Sequence, residues 1–125
     1  QWFNDKINKK QDVYRGIIFW NLPEILIICL KRWDYMGNKI NKKIEVPLDI
    51  DLSQFVNGYN SNSYKYNLYG VYNHFGGNRH GGHYTCNIKN ANGKWYTFND
   101  TQVNEINDRQ VVSDKAYCFF YRKKK

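Results

Sequence analysis

Short apolar runs separated by breaks of Gly, Asn, Lys and Pro make up most of the chain, and the runs have strand lengths. Residues 1–13 are polar and weakly patterned, a ragged start or a short helix. Residues 14–20 predict a strand. After the break at Leu22-Pro23, residues 24–30 form a continuous apolar run. Its length and β-branching predict a strand buried on both faces rather than a helix. Residues 31–43 are polar, with a turn at Met36-Gly37-Asn38. An extended stretch at 44–47, one helical turn at 52–56 and a Gly/Asn/Ser loop at 57–63 follow. A tyrosine-rich strand at 64–74 runs into a loop at 75–82 that carries four glycines. Strands at 83–89 and 94–99 flank a turn in which Asn92-Gly93 is a strong hairpin signal. A short helix at 107–113 and a last strand at 116–122 complete the chain. No internal repeat is visible. The pattern predicts an antiparallel, strand-dominated α+β body.

Composition narrows the function classes. A chain of 125 residues is one domain or part of one, and 42% hydrophobic and 18% aromatic residues exclude disorder. Eleven tyrosines and four tryptophans favour strands. The net charge of +8 has half its source in the terminal run Arg122-Lys123-Lys124-Lys125. The remaining lysines are scattered over loops, so they read as a solvated surface and not as a stripe for nucleic acid. Cys29, Cys86 and Cys118 are odd in number, lack a CxxC pair and each sit in an apolar run. That usage suggests reduced, buried thiols in an intracellular protein, cytoplasmic or nuclear. No apolar stretch approaches the ~18 residues of a membrane span, so no membrane role is expected. The start at Gln1-Trp2, without Met or a signal peptide, suggests an excised piece of a longer chain.

The candidate chemistry lies at Gly81-Gly82-His83-Tyr84-Thr85 and, sixteen residues after His83, at Asn99-Asp100. A histidine oriented by Asn or Asp is two-thirds of a nucleophilic site. Residue numbers opposed across an antiparallel pair total a constant. A three-residue loop at 90–92 gives 182 and sets His83 against Asn99. A four-residue loop gives 183 and sets it against Asp100. A two-residue loop gives 185 and pairs it with Gln102. The sequence does not choose among them. A metal trio of His74, His80 and His83 does not match zinc spacings, since it straddles a glycine loop without cysteine partners. The glycine loop lacks the lysine and helix of a phosphate site. Trp20, Trp33 and Trp95 read as core aromatics.

Several ordered motifs carry a resemblance. They are Leu22-Pro23-Glu24-Ile25-Leu26, Leu30-Lys31-Arg32-Trp33, Tyr66-Asn67-Leu68-Tyr69-Gly70-Val71, and His74 with its glycine loop. Gly82-His83-Tyr84-Thr85, Trp95-Tyr96-Thr97-Phe98-Asn99-Asp100 and Ala116-Tyr117 near Tyr121-Arg122 complete the set. Over residues 20–122 they resemble the C-terminal half of the ubiquitin-specific proteases. The resemblance implies a papain-like cysteine proteinase fold, of which residues 1–125 are the mostly antiparallel β C-terminal portion. It implies a thiol protease that cuts after the C-terminal glycine of ubiquitin. Ubiquitin, ubiquitinated proteins and the upstream part of the same catalytic domain are then the partners, and no cofactor or metal is implied.

By position, His83 matches the family's catalytic histidine and Asn99 its third catalytic residue. Asp100 matches the acidic neighbour of the same site. Residues 76–82 match a mobile loop beside the channel for the ubiquitin tail, and residues 34–43 match a second such loop. Gly81, Gly82, His80 and Tyr84 then border the tail, and glycines suit a channel in which two backbones approach closely. The family's N-terminal box with its catalytic cysteine has no counterpart here, nor do its paired CxxC motifs. The nucleophile is therefore expected upstream, and this piece alone is expected to be inactive and exposed along the missing interface. The competing reading is a pseudo-enzyme that binds ubiquitin without cutting it.

Overall fold

A computed structural model describes residues 1–58, 63–77 and 80–125. Nine strands lie among them: β1 (Trp2–Asn4), β2 (Lys9–Gln11), β3 (Ile25–Cys29), β4 (Asp49–Asp51), β5 (Lys65–Phe75), β6 (His83–Lys89), β7 (Trp95–Asn99), β8 (Gln102–Ile106) and β9 (Ala116–Lys123). Two single-turn 3-10 helices, Ser53–Phe55 and Asp108–Gln110, are the helical content of the described residues. β1 and β2 form a separate antiparallel hairpin, where a short helix or a ragged start is expected from sequence. The other strands form one antiparallel sheet in the order β3-β9-β5-β6-β7-β8, with β4 beside β5.

The long strand β5 organises this sheet because its eleven residues pair with β9 on one side and β6 on the other. A register shift between Leu68 and Gly70 lets Tyr66 and Leu68 on one stretch, and Val71 on the next, meet the same core. Phe119, Tyr121 and Trp95 join them from β9 and β7, and Val111 closes the cluster from behind the second 3-10 turn. The buried tyrosines keep their hydroxyls paired: Tyr66 donates to the Pro23 carbonyl at 2.7 Å and Tyr121 to the Pro47 carbonyl at 2.6 Å. Burial pushes the Tyr121 phenol up to about 12, so it stays neutral and keeps that bond.

The structure departs from the sequence pattern in specific places. Residues 14–20 form no strand, only an isolated bridge from Phe19 to Val56. β3 is an edge strand with β9 as its one neighbour, and Ile27 is 55% exposed, so it is not buried on both faces. A continuous apolar run reports that both faces repel water, not that this chain covers both. Cys29, on the same edge, is exposed rather than buried and faces Cys118 across the pair, with the sulfurs 2.6 Å apart. Trp20 is 62% exposed and lies outside the core, whereas Trp95 is buried in it. β8 has no strong strand pattern in sequence and forms because β7 offers it a pairing edge. The loop expected at 57–63 falls largely outside the described residues.

Phe119→Ala removes a fully buried ring and is expected to cost about 3–5 kcal/mol, while Ile27→Ala on the exposed edge costs under ~1 kcal/mol. Urea unfolding midpoints of the two variants check the contrast.

Candidate active site

The β6–β7 hairpin builds the site. The Gly93 N–H donates to the Asn90 carbonyl and the Asn90 N–H to the Lys94 carbonyl, both at 2.9 Å, while Gly93 takes φ +80°. This is a three-residue loop at 91–93 with glycine at the left-handed position. Cys86 faces Phe98 and Asn87 faces Thr97, so opposed residue numbers total 184. None of the totals 182, 183 or 185 expected from sequence is correct, because the loop has three residues but begins one position later. An even total keeps odd residues of β6 and β7 on one face. His83 and Asn99 therefore share that face as diagonal neighbours rather than as an opposed pair.

Their side chains meet. His83 Nε2 lies 2.5 Å from Asn99 Oδ1. With a carboxamide oxygen as its partner, Nε2 carries the proton and donates it, so the lone pair available as a base sits on Nδ1. The Phe75 ring, opposite His83 in the register, tilts against the imidazole at 6.4 Å.

The same face continues inward as a row of polar side chains, of which Asn73, Thr85 and Asn87 are buried and Thr97 half-buried. Thr97 donates to Asn87 Oδ1 at 2.7 Å, and Asn87 Nδ2 donates to the Val111 carbonyl at 2.8 Å. Asn73 reaches Thr85 at 3.3 Å. Sequence reading missed this row; its signal is the run of Asn and Thr at alternate positions of three neighbouring strands.

The remaining predicted residues are placed as follows. Asp100 begins the turn between β7 and β8 at φ +51° and is exposed, and it is not brought to the imidazole. Gly82 takes φ +153°, and a Cβ there would lie 2.3 Å from the Phe75 carbonyl oxygen and 2.5 Å from His74 Nε2. Only glycine fits that approach. Gly81 has open space around it, and His80 is an exposed turn residue. The expected mobile loop at 76–82 lies partly outside the described residues. Tyr84 leaves the sheet on the face opposite His83 and stacks on Tyr72 at 5.1 Å. His74 also occupies that opposite face, so His74 and His83 do not gather into a metal trio. Among the described residues, no group of three His, Cys, Asp or Glu side chains is placed to hold an ion.

None of the three thiols is presented to His83. Cys86 points to the other face by strand alternation, and burial raises its pKa. Cys118 is pushed up to about 12 by burial and by its contact with Cys29, which makes it a poor nucleophile. A hollow of the surface lies elsewhere, between Val46, Pro47 and Val112. The described chain thus presents an imidazole with its ring held by an amide at the end of the β6–β7 pair.

That fold and that pair define the class: the mostly antiparallel β C-terminal portion of a papain-like catalytic domain. The family profile described as ubiquitin carboxyl-terminal hydrolase matches residues 2–121, and the chain belongs to that family. It is 39% identical over 127 aligned residues to ubiquitin carboxyl-terminal hydrolase 10 of Arabidopsis thaliana, covering 98% of this chain and 14% of that protein. It is 37% identical to ubiquitin carboxyl-terminal hydrolase 15 of Homo sapiens, covering 98% of this chain and 13% of that one. Among solved structures, the SAGA Ubp8/Sgf11/Sus1/Sgf73 DUB module bound to ubiquitin aldehyde superposes with a TM-score of 0.79 at 26% identity. That match covers 99% of this chain and 30% of the other. The chain therefore spans about 14% of the length of the curated relatives it matches. Among the described residues no helix is long and apolar enough to cross a membrane.

A pH dependence follows from His74. Burial, then the nearby Lys39 ammonium, lowers its pKa from the ordinary 6.5. The folded state then binds fewer protons than the unfolded one, so stability falls as pH drops through about 6.5 toward the lowered value. Urea midpoints between about pH 7.5 and 5 are expected to decline for the wild type and to decline less for His74→Gln.

Proposed function

We propose that this chain supplies the histidine–asparagine part of the active site of a deubiquitinating thiol protease. The intact protein hydrolyses the peptide or isopeptide bond after the C-terminal glycine of ubiquitin. The observation that carries this reading is the His83–Asn99 hydrogen bond, which fixes the ring and leaves Nδ1 as the base on the open face. The thiol nucleophile comes from a part of the same catalytic domain outside these residues. Cys29, Cys86 and Cys118 are unsuited by placement, and Cys118 also by its raised pKa.

In this reading His83 Nδ1 takes the thiol proton, and the thiolate attacks the glycine carbonyl. The protonated ring then passes its proton to the leaving lysine amine as the thioester forms. His83 next removes a proton from water, which attacks the thioester and releases ubiquitin. Asn99 holds the ring through these steps, and a neutral amide suffices because thiolate and imidazolium compensate each other. Asp100, exposed in the turn after Asn99, is the acidic neighbour of the same site. Gly81, Gly82, His80 and Tyr84 border the path of the substrate tail.

Ubiquitin as partner is supported by the neighbouring modules, which are bound to ubiquitin aldehyde and to monoubiquitin. The exposed apolar residues Ile17, Ile18, Ile25 and Ile27 support an interface with the rest of the catalytic domain.

The test is hydrolysis of ubiquitin carrying a C-terminal fluorogenic amide by the intact protein. His83→Ala is expected to lower kcat by about 10³-fold or more, and Asn99→Ala by less, since Asn99 touches no reacting atom. Ubiquitin binding without turnover in the intact protein would overturn the protease reading in favour of a ubiquitin-binding pseudo-enzyme.

A further inference from the structure

His74 sits on β5 directly opposite Tyr84 of β6, on the face of the sheet away from His83. Its side chain is fully buried, neither ring nitrogen makes a well-formed hydrogen bond, and its polar neighbour is the Gly81 backbone. Such a ring costs free energy that an apolar side chain avoids. The contacts around it show what it does in return.

The Trp33 ring packs against one side at 5.5 Å, and Tyr84 lies at 4.9 Å. The far end of the imidazole meets the backbone of the glycine loop. A Cβ on Gly82 would come within 2.5 Å of Nε2, and a Cβ on Gly76 within 3.3 Å of Cε1. Gly76 and Gly82 also close on each other, with a Gly76 Cβ only 3.1 Å from the Gly82 Cα. The two stems of the loop are thus pinched together over the imidazole. A six-membered ring would reach further and lift Gly82; a shorter side chain would leave a void under it.

The residue after Gly82 is His83. The backbone of His74 is tied as firmly as its ring: its N–H donates to the Lys115 carbonyl at 2.9 Å, and its carbonyl accepts from the Lys39 ammonium. Lys39 belongs to the polar turn after Trp33, so one residue joins that turn, the start of β9 and the glycine loop.

We propose that His74 is a positioning residue: its imidazole, held from the opposite face, is the seat on which the Gly82 backbone rests, and it fixes where His83 enters the site. The proposal rests on the protease reading for its kinetic readout, and on the histidine's own resonances for a readout that needs no turnover.

In the intact protein, His74→Ala is expected to lower kcat on the fluorogenic ubiquitin amide by about 10²-fold with KM changed less than about 2-fold. His74→Gln, whose amide reaches the place of Nε2, is expected to restore most of kcat. His74→Asn, one bond shorter, is expected to behave as His74→Ala, and the Gln–Asn contrast serves if the alanine variant does not fold. A folded His74→Asn with wild-type kcat overturns the proposal. So does an equal loss of ubiquitin binding and kcat that Gln does not rescue. If the intact protein shows no turnover at all, the protease reading fails, and the imidazole C–H signals of His83 in 13C-histidine-labelled protein decide the positioning role. Signals displaced by His74→Asn and returned by His74→Gln support it; signals unmoved by either variant overturn it.

Discussion

The pairing register of β6 on β7 is the constraint on which the site depends. Side chains alternate across a strand, so two residues on neighbouring strands either share a face or do not. The hairpin loop at 91–93 sets the even total that puts the imidazole of His83 and the carboxamide of Asn99 on one face. A slip of one residue would move Asn99 through the sheet to the side of Tyr84 and Cys86. The geometry is therefore held by the whole ladder, from the Gly93 turn at one end to the β5 pairing at the other. The 2.5 Å contact between the two side chains is its outcome rather than its cause.

Behind that face the sheet is not a plain apolar layer. Asn73, Thr85, Asn87 and Thr97 run inward from the site, and the Asn87 amide is satisfied by the Val111 carbonyl at the end of the second 3-10 turn. The Asn87 amide, paired at both ends, tolerates one arrangement where an apolar side chain tolerates several. The polar row and the aromatic seat around His74 act from opposite faces of the same strands. Between them they leave β6 little freedom to shift along or twist.

Much of this was legible in the sequence because it depends on local signals. The long tyrosine-rich strand, the glycine-bounded β6, the Asn92-Gly93 turn and the final strand all announce themselves by period and punctuation. His83 was legible as a candidate because two of the three short loops set Asn99 or its neighbour Asp100 against it. The register was not, since loops differing by one residue share the same composition and only tertiary pairing with β5 selects among them. The run at β3 misled for a different reason. Apolarity measures what a strand avoids, and its exposure here depends on which surfaces this chain can cover. The β1–β2 hairpin and β8 carry polar residues that lack alternation, so their pairing was invisible before their partners were placed. The seat under Gly82 lay in plain view as glycines, but the residue that demands them is eight positions earlier and on the other face.

Arg32 shows how the polar turn after Trp33 is held. Its guanidinium is buried and donates to the carbonyls of Ala116, Ile40 and Lys42, with burial as the main influence lowering its pKa. All three acceptors are main-chain atoms, which every residue type supplies. The ends of the turn are thereby fastened by its backbone, while inside it the Asp34 carboxylate accepts from the Met36 and Asn38 N–H groups and Lys39 reaches the His74 carbonyl. Positions of the turn whose side chains make no such bond can exchange one residue for another while its course stays put, whereas losing or gaining a residue between Arg32 and Lys42 would break the grip. Strictness in length is the signature that this single buried cation imposes on the turn.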